Sequence, residues 1–448
     1  MLKIFLWLRY LRKRKIVFLS ISAVALSTAV LIVVASLFGG FINVLERSAT
    51  EAMGDVVLAP PSKFAKYELL IECLEQAGEV KAATAVLSAK GLLHLGKGNV
   101  RAVDIWGIEP GRRAKVTGFK QSLIKQKKSP REPSFEIVGY PDRVGGFVGI
   151  GVVAEPDEKT DEYDFAEIEK MIGQQVVLTT GAMSGAQERK STTAQVRRKI
   201  VKFTIADIVF TGVYDFDKSF VYLSIEQLQK ILYPSEDAQV TDRIQIKLNP
   251  YAQTEVALAE IRGVWQNFAS EQLDWSPYMI RQTNIATAKQ IQSRYIAELL
   301  KQMGVLLLIF GVVSFSVVLL ILCIFYMIVM TRQRDIAIIK SCGATSSSVA
   351  LIFVGFGGCV GIIGSGIGVI LGYIVTKNIN TIEEWIRIIF GLKLWKSSVY
   401  MFSKIPNEVD WESALIIVFL AVVAACLGVL IPAVVAARTR PVEILRYE

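Results

Sequence analysis

Histidine occurs once, at His94, and the five cysteines, Cys73, Cys323, Cys342, Cys359 and Cys426, stand far apart. A histidine-centred active site or a Cys/His zinc site needs such residues in clusters, so both are disfavoured. No G-x-x-x-x-G-K-[ST] loop occurs, which leaves the chain without the usual cradle for nucleotide phosphates. Charge is scarce as well. Charged residues are 20% of the 448 against 52% hydrophobic, with a mean hydropathy of +0.43, and a soluble chain of this size carries more charge. Part of this protein belongs in lipid.

A helix needs about 20 apolar residues to cross the hydrocarbon core. Four stretches free of Asp, Glu, Lys and Arg qualify, at 16–41, 302–331, 349–375 and 413–437. The absence of intramembrane charge disfavours a proton-coupled carrier or an ion channel. The first stretch exceeds the about 7–15 apolar residues of a signal-peptide core and no A-x-A-like cleavage site follows it, so it reads as an anchor.

Cations beside the spans set the expected orientation. The amino-terminal segment carries Lys3, Arg9, Arg12, Lys13, Arg14 and Lys15 without an acid. The segment after the second span has Arg332, Arg334 and Lys340 against Asp335, and the carboxyl tail has Arg438, Arg440 and Arg446 against Glu443 and Glu448. Together these account for the whole formal charge of +9, so the remaining segments are neutral taken together. The expected class is a membrane protein with four transmembrane α-helices and a large extracytoplasmic mixed α/β domain inserted between the first and second. Its segments are a basic cytoplasmic start at 1–15, a first span at 16–41, a periplasmic domain at 42–283, a stalk and second span at 284–331 and a cytoplasmic segment at 332–348. A third span at 349–376, a periplasmic loop at 377–412, a fourth span at 413–437 and a cytoplasmic tail at 438–448 complete the chain. The basic start reads as a topology signal, with no role for nucleic acid.

In the insert, β-branched and aromatic runs at 176–180, 202–210, 219–224 and 243–248 predict strands. Short helices are expected at 164–172 and 224–232, opened by Asp164 and Ser224 and, for the former, closed by Gly173. A longer helix at 254–268 would bury Val256, Ile261, Val264, Trp265 and Phe268. Residues 284–303 read as a helix running unbroken into the second span. Cys73 is the insert's one cysteine, so no disulfide staples it. His94 reads as a packing or surface residue, Asp215 and Asp217 as turn residues between strands, and 157–164 as a solvated loop.

The third span is rich in glycine. Gly357, Gly361, Gly364, Gly368 and Gly372 fall at small-xxx-small spacings that let helices approach closely in lipid.

The order of parts resembles the permease subunits of lipoprotein-releasing ABC transporters, the LolC/LolE type, within the superfamily that includes the macrolide exporter and the cell-division permease. The most specific pieces are residues 332–345 (RQRDIAIIKSCGAT) and 432–448 (PAVVAARTRPVEILRYE). Residues 203–223 resemble an exported strand, turn and strand of that branch, and Asn380, Thr381, Ile382, Trp385, Val399, Tyr400, Ile405 and Pro406 its last outer loop.

The resemblance implies a non-catalytic bacterial inner-membrane subunit, multi-pass, with both termini cytoplasmic. A cytoplasmic ABC ATPase dimer would hold the ATP and Mg, and a second permease, identical or related, would complete the complex. A lipoprotein would then pass from the outer leaflet toward a periplasmic lipoprotein carrier. The resemblance assigns ATPase coupling to Arg332, Arg334, Asp335, Ile336, Ile339, Lys340 and Gly343, with both isoleucines on one helical side to fill an apolar groove. It implies lipoprotein contact at Phe38 and Phe41, where Gly39-Gly40-Phe41 stands in place of Asn-Gly-Phe, alongside membrane lipid. Carrier docking falls to Arg189, Lys190, Arg197 and Arg198 in the loop at 181–198. Two other functions fit the same plan: a permease that transmits motion to a periplasmic enzyme, and an exporter of small amphiphiles.

Overall fold

The structure is a computed structural model that describes residues 15–96, 98–137, 139, 143–157, 160–183, 196–233, 239–391, 393–396, 402 and 404–438. The chain divides into two compact units, one of residues 1–44, 295–385 and 405–448, the other of residues 45–294 and 386–404.

The first unit is built on helices long and apolar enough to cross a membrane, Val17–Met53, Ile296–Thr331, Ser346–Lys377 and Trp411–Arg438. Lipid tails are as apolar as the side chains, so close packing rather than hydrophobic exclusion must hold such helices together. Val24, Ile321, Phe325, Phe356, Val360, Ala425 and Val429 form the shared core. The glycines of the third helix face two different neighbours. A Cβ at Gly357 would meet Val429 Cγ2 at 2.6 Å and one at Gly361 would meet Ala425 Cβ at 3.0 Å, both on the fourth helix. On the first helix, a Cβ at Gly364 would lie 2.8 Å from Val24 Cβ, one at Gly368 2.7 Å from Thr28 Cβ, and one at Gly372 3.1 Å from Ile32 Cγ2.

The second unit is a mixed sheet. Its strands are β1 (Val56–Ala59), β3 (Val80–His94), β4 (Val100–Ile108), β5 (Gly145–Gly149), β6 (Gln175–Met183), β7 (Val196–Val209), β8 (Phe220–Ser224), β10 (Arg243–Leu248) and β11 (Asn284–Thr287). A separate ribbon pairs β2 (Phe64–Ala65) with β9 (Val240–Thr241). The sheet order is β11-β1-β10-β3-β4-β8-β5-β7-β6, and the far half of β3 also pairs with β6, which closes six strands into a ring. Alternation along the strands supplies two apolar faces. Leu87, Ile105, Val148, Val221 and Leu223 join the main core with Leu70, Leu228, Ile261 and Trp265 from the helices. Val86, Trp106, Phe147 and Tyr222, one residue out of phase, form a second core with Phe119.

The helices expected in the insert form at Phe165–Glu169, Ile225–Leu232 and Thr254–Glu271. Asp164 caps the first through the Ala166 and Glu167 amides, and Ser224 caps the second through Gln227. In the third, Ala257, Leu258, Ile261, Trp265 and Phe268 are buried while Val256 is exposed, because it falls outside their shared face. Asp215 and Asp217 lie in a short helix, Tyr214–Ser219, rather than in a turn. Asp217 is buried and accepts from the Thr211 amide and hydroxyl and from the Gly212 amide, bonds that hold the helix against the end of β7. Residues 284–303 also depart from expectation. Strand pairing takes the first four, since β11 pairs with β1, and Thr287 then opens a short helix, Ala288–Ile291, through a capping box with Gln290. Gln292 interrupts it before the second membrane helix, Ser293–Thr331.

Residues 386–404 belong to this second unit although they come from the last outer connection. Lys393 donates to the Thr160 carbonyl and pairs with Asp161, both side chains being largely buried, and Phe402 bridges to Val213.

Candidate functional site

Within the outer unit, the strand that follows the first membrane helix and the strand that precedes the second lie side by side. The first membrane helix, Lys15–Met53, has 39 residues and is therefore about 58 Å long, well beyond the about 30 Å of a hydrocarbon core. It ends at Gly54, whose φ of +81° favours glycine, and leads directly into β1. The neighbouring strand β11 leads to the second membrane helix. Asp55 clasps this junction. Its carboxylate accepts from Lys247 Nζ and the Leu248 amide at 2.9 Å each, and its carbonyl accepts from the Ala288 amide at 3.0 Å.

Arg113 completes the attachment. It is 2% exposed, and its guanidinium donates through Nη2 to the Ala52 carbonyl at 2.9 Å and through Nη1 to Gln245 Oε1 at 2.8 Å. The Gly118 amide holds the adjacent Glu51 carbonyl at 3.0 Å. No carboxylate pairs with Arg113 among the described residues. Its compensation comes from the negative end of the helix dipole and from the ring faces of Trp106, Phe119 and Tyr222 at 4.9, 5.3 and 5.7 Å. Burial pushes Arg113 down to about 10 and the Tyr222 hydroxyl up to about 12, so both keep their ordinary ionisation at neutral pH. Sequence reasoning missed Arg113, which stands in the basic run Arg112-Arg113-Ala114-Lys115. Val116, the apolar residue of the same turn, lies three positions after Arg113 and four after Arg112, so it shares a helical side with both and singles out neither.

On the other side of the membrane unit, the proposed coupling residues form the helix Gln333–Ser341, entered by Arg332. Arg332 Nη1 donates to Asp335 Oδ2 at 2.7 Å, and Lys340 Nζ donates to the Ala437 carbonyl at 2.7 Å, which ties this helix to the end of the fourth. Gly343, at φ +97°, ends it in a Schellman turn, its amide reaching Lys340 and the next amide, Ala344, reaching Ile339. The two isoleucines do not share a role. Ile336 is buried against Val329, Val349 and Ala436, whereas Ile339 is exposed beside an exposed Ile338. The helix spends Ile336 on its own packing, and its outward apolar pair is Ile338 and Ile339.

Phe38 is half-buried and Phe41 buried at the outer part of the first membrane helix. Gly40 lies close to the returning chain, where a Cβ would meet that of Pro406 at 2.8 Å, and the Asp410 amide donates to Ser36 Oγ at 3.3 Å. Between the first, second and fourth membrane helices lies an apolar cavity of about 390 Å³ bordered by Val24, Leu31, Leu307 and Leu420, with a Ser27–Ser314 hydroxyl pair at 3.0 Å. Arg197 and Arg198 begin β7, opposite Ala182 and Gly181 of β6. Arg189 and Lys190 lie outside the described residues.

These parts define a membrane permease: helices spanning lipid, an inner helix with an apolar outward face, and an outer α/β unit attached through adjacent strands. Residues 307–441 match the FtsX-like permease C-terminal family. LolC of the lipoprotein-releasing system of Neisseria meningitidis serogroup B is 26% identical over all of this chain and 99% of its own length. LolE of Haemophilus influenzae is 25% identical over 94% of this chain and 92% of its own. Among solved structures, the periplasmic region of MacB from Actinobacillus actinomycetemcomitans aligns with 55% of this chain and 95% of its own length at 14% identity and a TM-score of 0.33. Along its whole length the chain is similar to the LolC and LolE transmembrane proteins of lipoprotein-releasing systems, and its carboxyl-terminal part matches an FtsX-like permease region. It is a non-catalytic, multi-pass subunit of the inner membrane.

Proposed function

We propose that this chain couples ATP hydrolysis by a separate cytoplasmic ATPase to extraction of lipoproteins from the outer leaflet of the inner membrane toward a periplasmic carrier. The observation that carries the reading is full-length similarity to LolC and LolE, the transmembrane proteins of lipoprotein-releasing systems. Both termini are cytoplasmic in this reading, in keeping with the cations that flank the first, second and fourth spans.

Ile338 and Ile339 would enter an apolar groove of the ATPase, while Arg332, Arg334, Asp335 and Lys340 orient the helix and Gly343 ends it. The ATPase dimer supplies the nucleotide and Mg chemistry, and this chain supplies the lever. A second permease, identical or related, would cover the exposed stripe Val305, Leu308, Val312 and Phe315 on the second membrane helix, residues spaced by three and four. Acyl chains would meet Phe38 at the outer part of the first helix, with Phe41 behind it. The carrier would dock on the basic connection between β6 and β7, through Arg189, Lys190, Arg197 and Arg198.

Depleting the protein tests the reading. Lipoproteins destined for the outer membrane then accumulate in the inner membrane. Normal lipoprotein sorting after depletion would overturn it.

A further inference from the structure

The connection between the third and fourth membrane helices holds an amphipathic helix whose apolar side is left exposed by the described residues. The third helix ends at Lys377, and after the single break at Asn378 the chain enters the helix Ile379–Phe390. Its side chains at 385, 388 and 389, spaced by three and four, lie on one side: Trp385 is 66% exposed and Ile388 and Ile389 are 71% exposed each. Phe390, at 68%, extends the patch. Exposed apolar surface of this size on a single short helix marks a contact surface.

What covers it follows from where the helix starts. Tyr373, one turn before the end of the third helix, stacks on Trp411, the first residue of the fourth, with ring centroids 6.0 Å apart. Lys377 Nζ donates to the Tyr373 hydroxyl at 3.2 Å. Tyr, Trp and Lys gathered at the ends of two membrane helices mark the headgroup level. The first turn of the connecting helix is held at that level. Asn380 exchanges two hydrogen bonds of 3.0 Å with the backbone of Ile405, and Asn407 Nδ2 donates to the Lys377 carbonyl at 3.4 Å. A helix anchored at the headgroup plane with a Trp and two Ile on one side has the composition of an interfacial anchor.

We propose that the helix Ile379–Phe390 lies on the outer leaflet and seats Trp385, Ile388 and Ile389 in the lipid. Continuity with two membrane helices favours lipid over a protein partner as the occupant, and the inference does not depend on what the permease transports.

The test uses the full chain in phosphatidylcholine vesicles. Nitroxide labels are placed one at a time at Ile388, Ile389 and, for reference on the opposite helical side, Glu383 in a cysteine-free background, and their collisions with oxygen and with a water-soluble nickel complex are compared. Labels at Ile388 and Ile389 should collide more with oxygen than with nickel, and the label at Glu383 should reverse that order. Dominant nickel collisions at Ile388 and Ile389 would mean water, and poor access to both would mean a protein cover such as a second copy; either overturns the proposal. Phosphatidylcholine brominated near the headgroup gives an unlabelled check. It should quench tryptophan emission in the native chain and lose part of that quenching in Trp385→Phe, whereas equal quenching in both would contradict the inference.

Discussion

Arg113 Nη2 donates to the Ala52 carbonyl at 2.9 Å, so a buried cation on the short helix Pro110–Val116 of the outer unit caps the last turn of the helix that crosses the membrane first. The bond sits beside Gly54 and β1, where the helix becomes sheet. Because the same guanidinium also holds Gln245 of β10, displacement of the helix end is resisted by a strand two places from the sheet edge.

Replacing Arg113 with Met removes both bonds and leaves the Ala52 carbonyl and Gln245 amide oxygen without their donor, at a cost of about 1–3 kcal/mol for each group left unmet. Arg113→Lys keeps the charge but loses the planar fork and its stacking on three rings, and so restores little. The complex of either variant should still assemble and hydrolyse ATP while releasing less lipoprotein per ATP. The check is parallel measurement of phosphate and released lipoprotein; an unchanged ratio would remove Arg113 from the coupling path.

Gly368 and Gly366 separate close packing from glycine content. A Cβ at Gly368 would meet the Ala25 carbonyl at 2.8 Å, whereas one at Gly366 meets nothing within 4 Å. Gly368→Ala should destabilise the helix bundle by about 1–3 kcal/mol through overpacking. Gly366→Ala should be neutral or gain up to about 1 kcal/mol from helix propensity. Thermal unfolding of the two variants in detergent distinguishes the sites.

The inner helix yields a test with its own control. Ile338→Asp with Ile339→Asp changes exposed positions, so insertion and yield should hold while co-purification of the ATPase is lost. Ile336→Asp instead buries a carboxylate against Val329 and Ala436, so its expression should fall. Retained ATPase in the double variant would place the contact elsewhere.

Asp217 makes the outer unit sensitive to pH. Burial pushes its carboxyl from 3.8 up to about 7, with the bonds from Thr211 and Gly212 pulling the other way. Between those values the folded chain holds a proton that the unfolded chain has released. Stability therefore falls as pH rises from about 4 to about 7, and levels off above. Asp217→Asn should flatten this slope, as read from melting temperature across that range.

Much of this architecture was legible because lipid imposes a coarse rule: apolar runs of sufficient length and cations beside them can be read directly. Strands such as β10 were visible through β-branched alternation, and the glycines of the third helix through their spacing. What stayed hidden depends on distant partners. Ile285 and Ala286 look helical beside the second span, yet β1 claims them. Ile336 and Ile339 share a helical side in sequence, but packing against Val349 and Ala436 buries only the first. Nothing local marks Lys393 as the partner of Asp161, or Arg113 rather than Arg112 as the buried cation.

The most direct measurement places the purified complex in liposomes loaded with a lipidated substrate and supplies the carrier outside. The lipoprotein should leave the membrane only when ATP is present and hydrolysed. Hydrolysis that leaves it embedded, with carrier and both permease chains present, would contradict the claim.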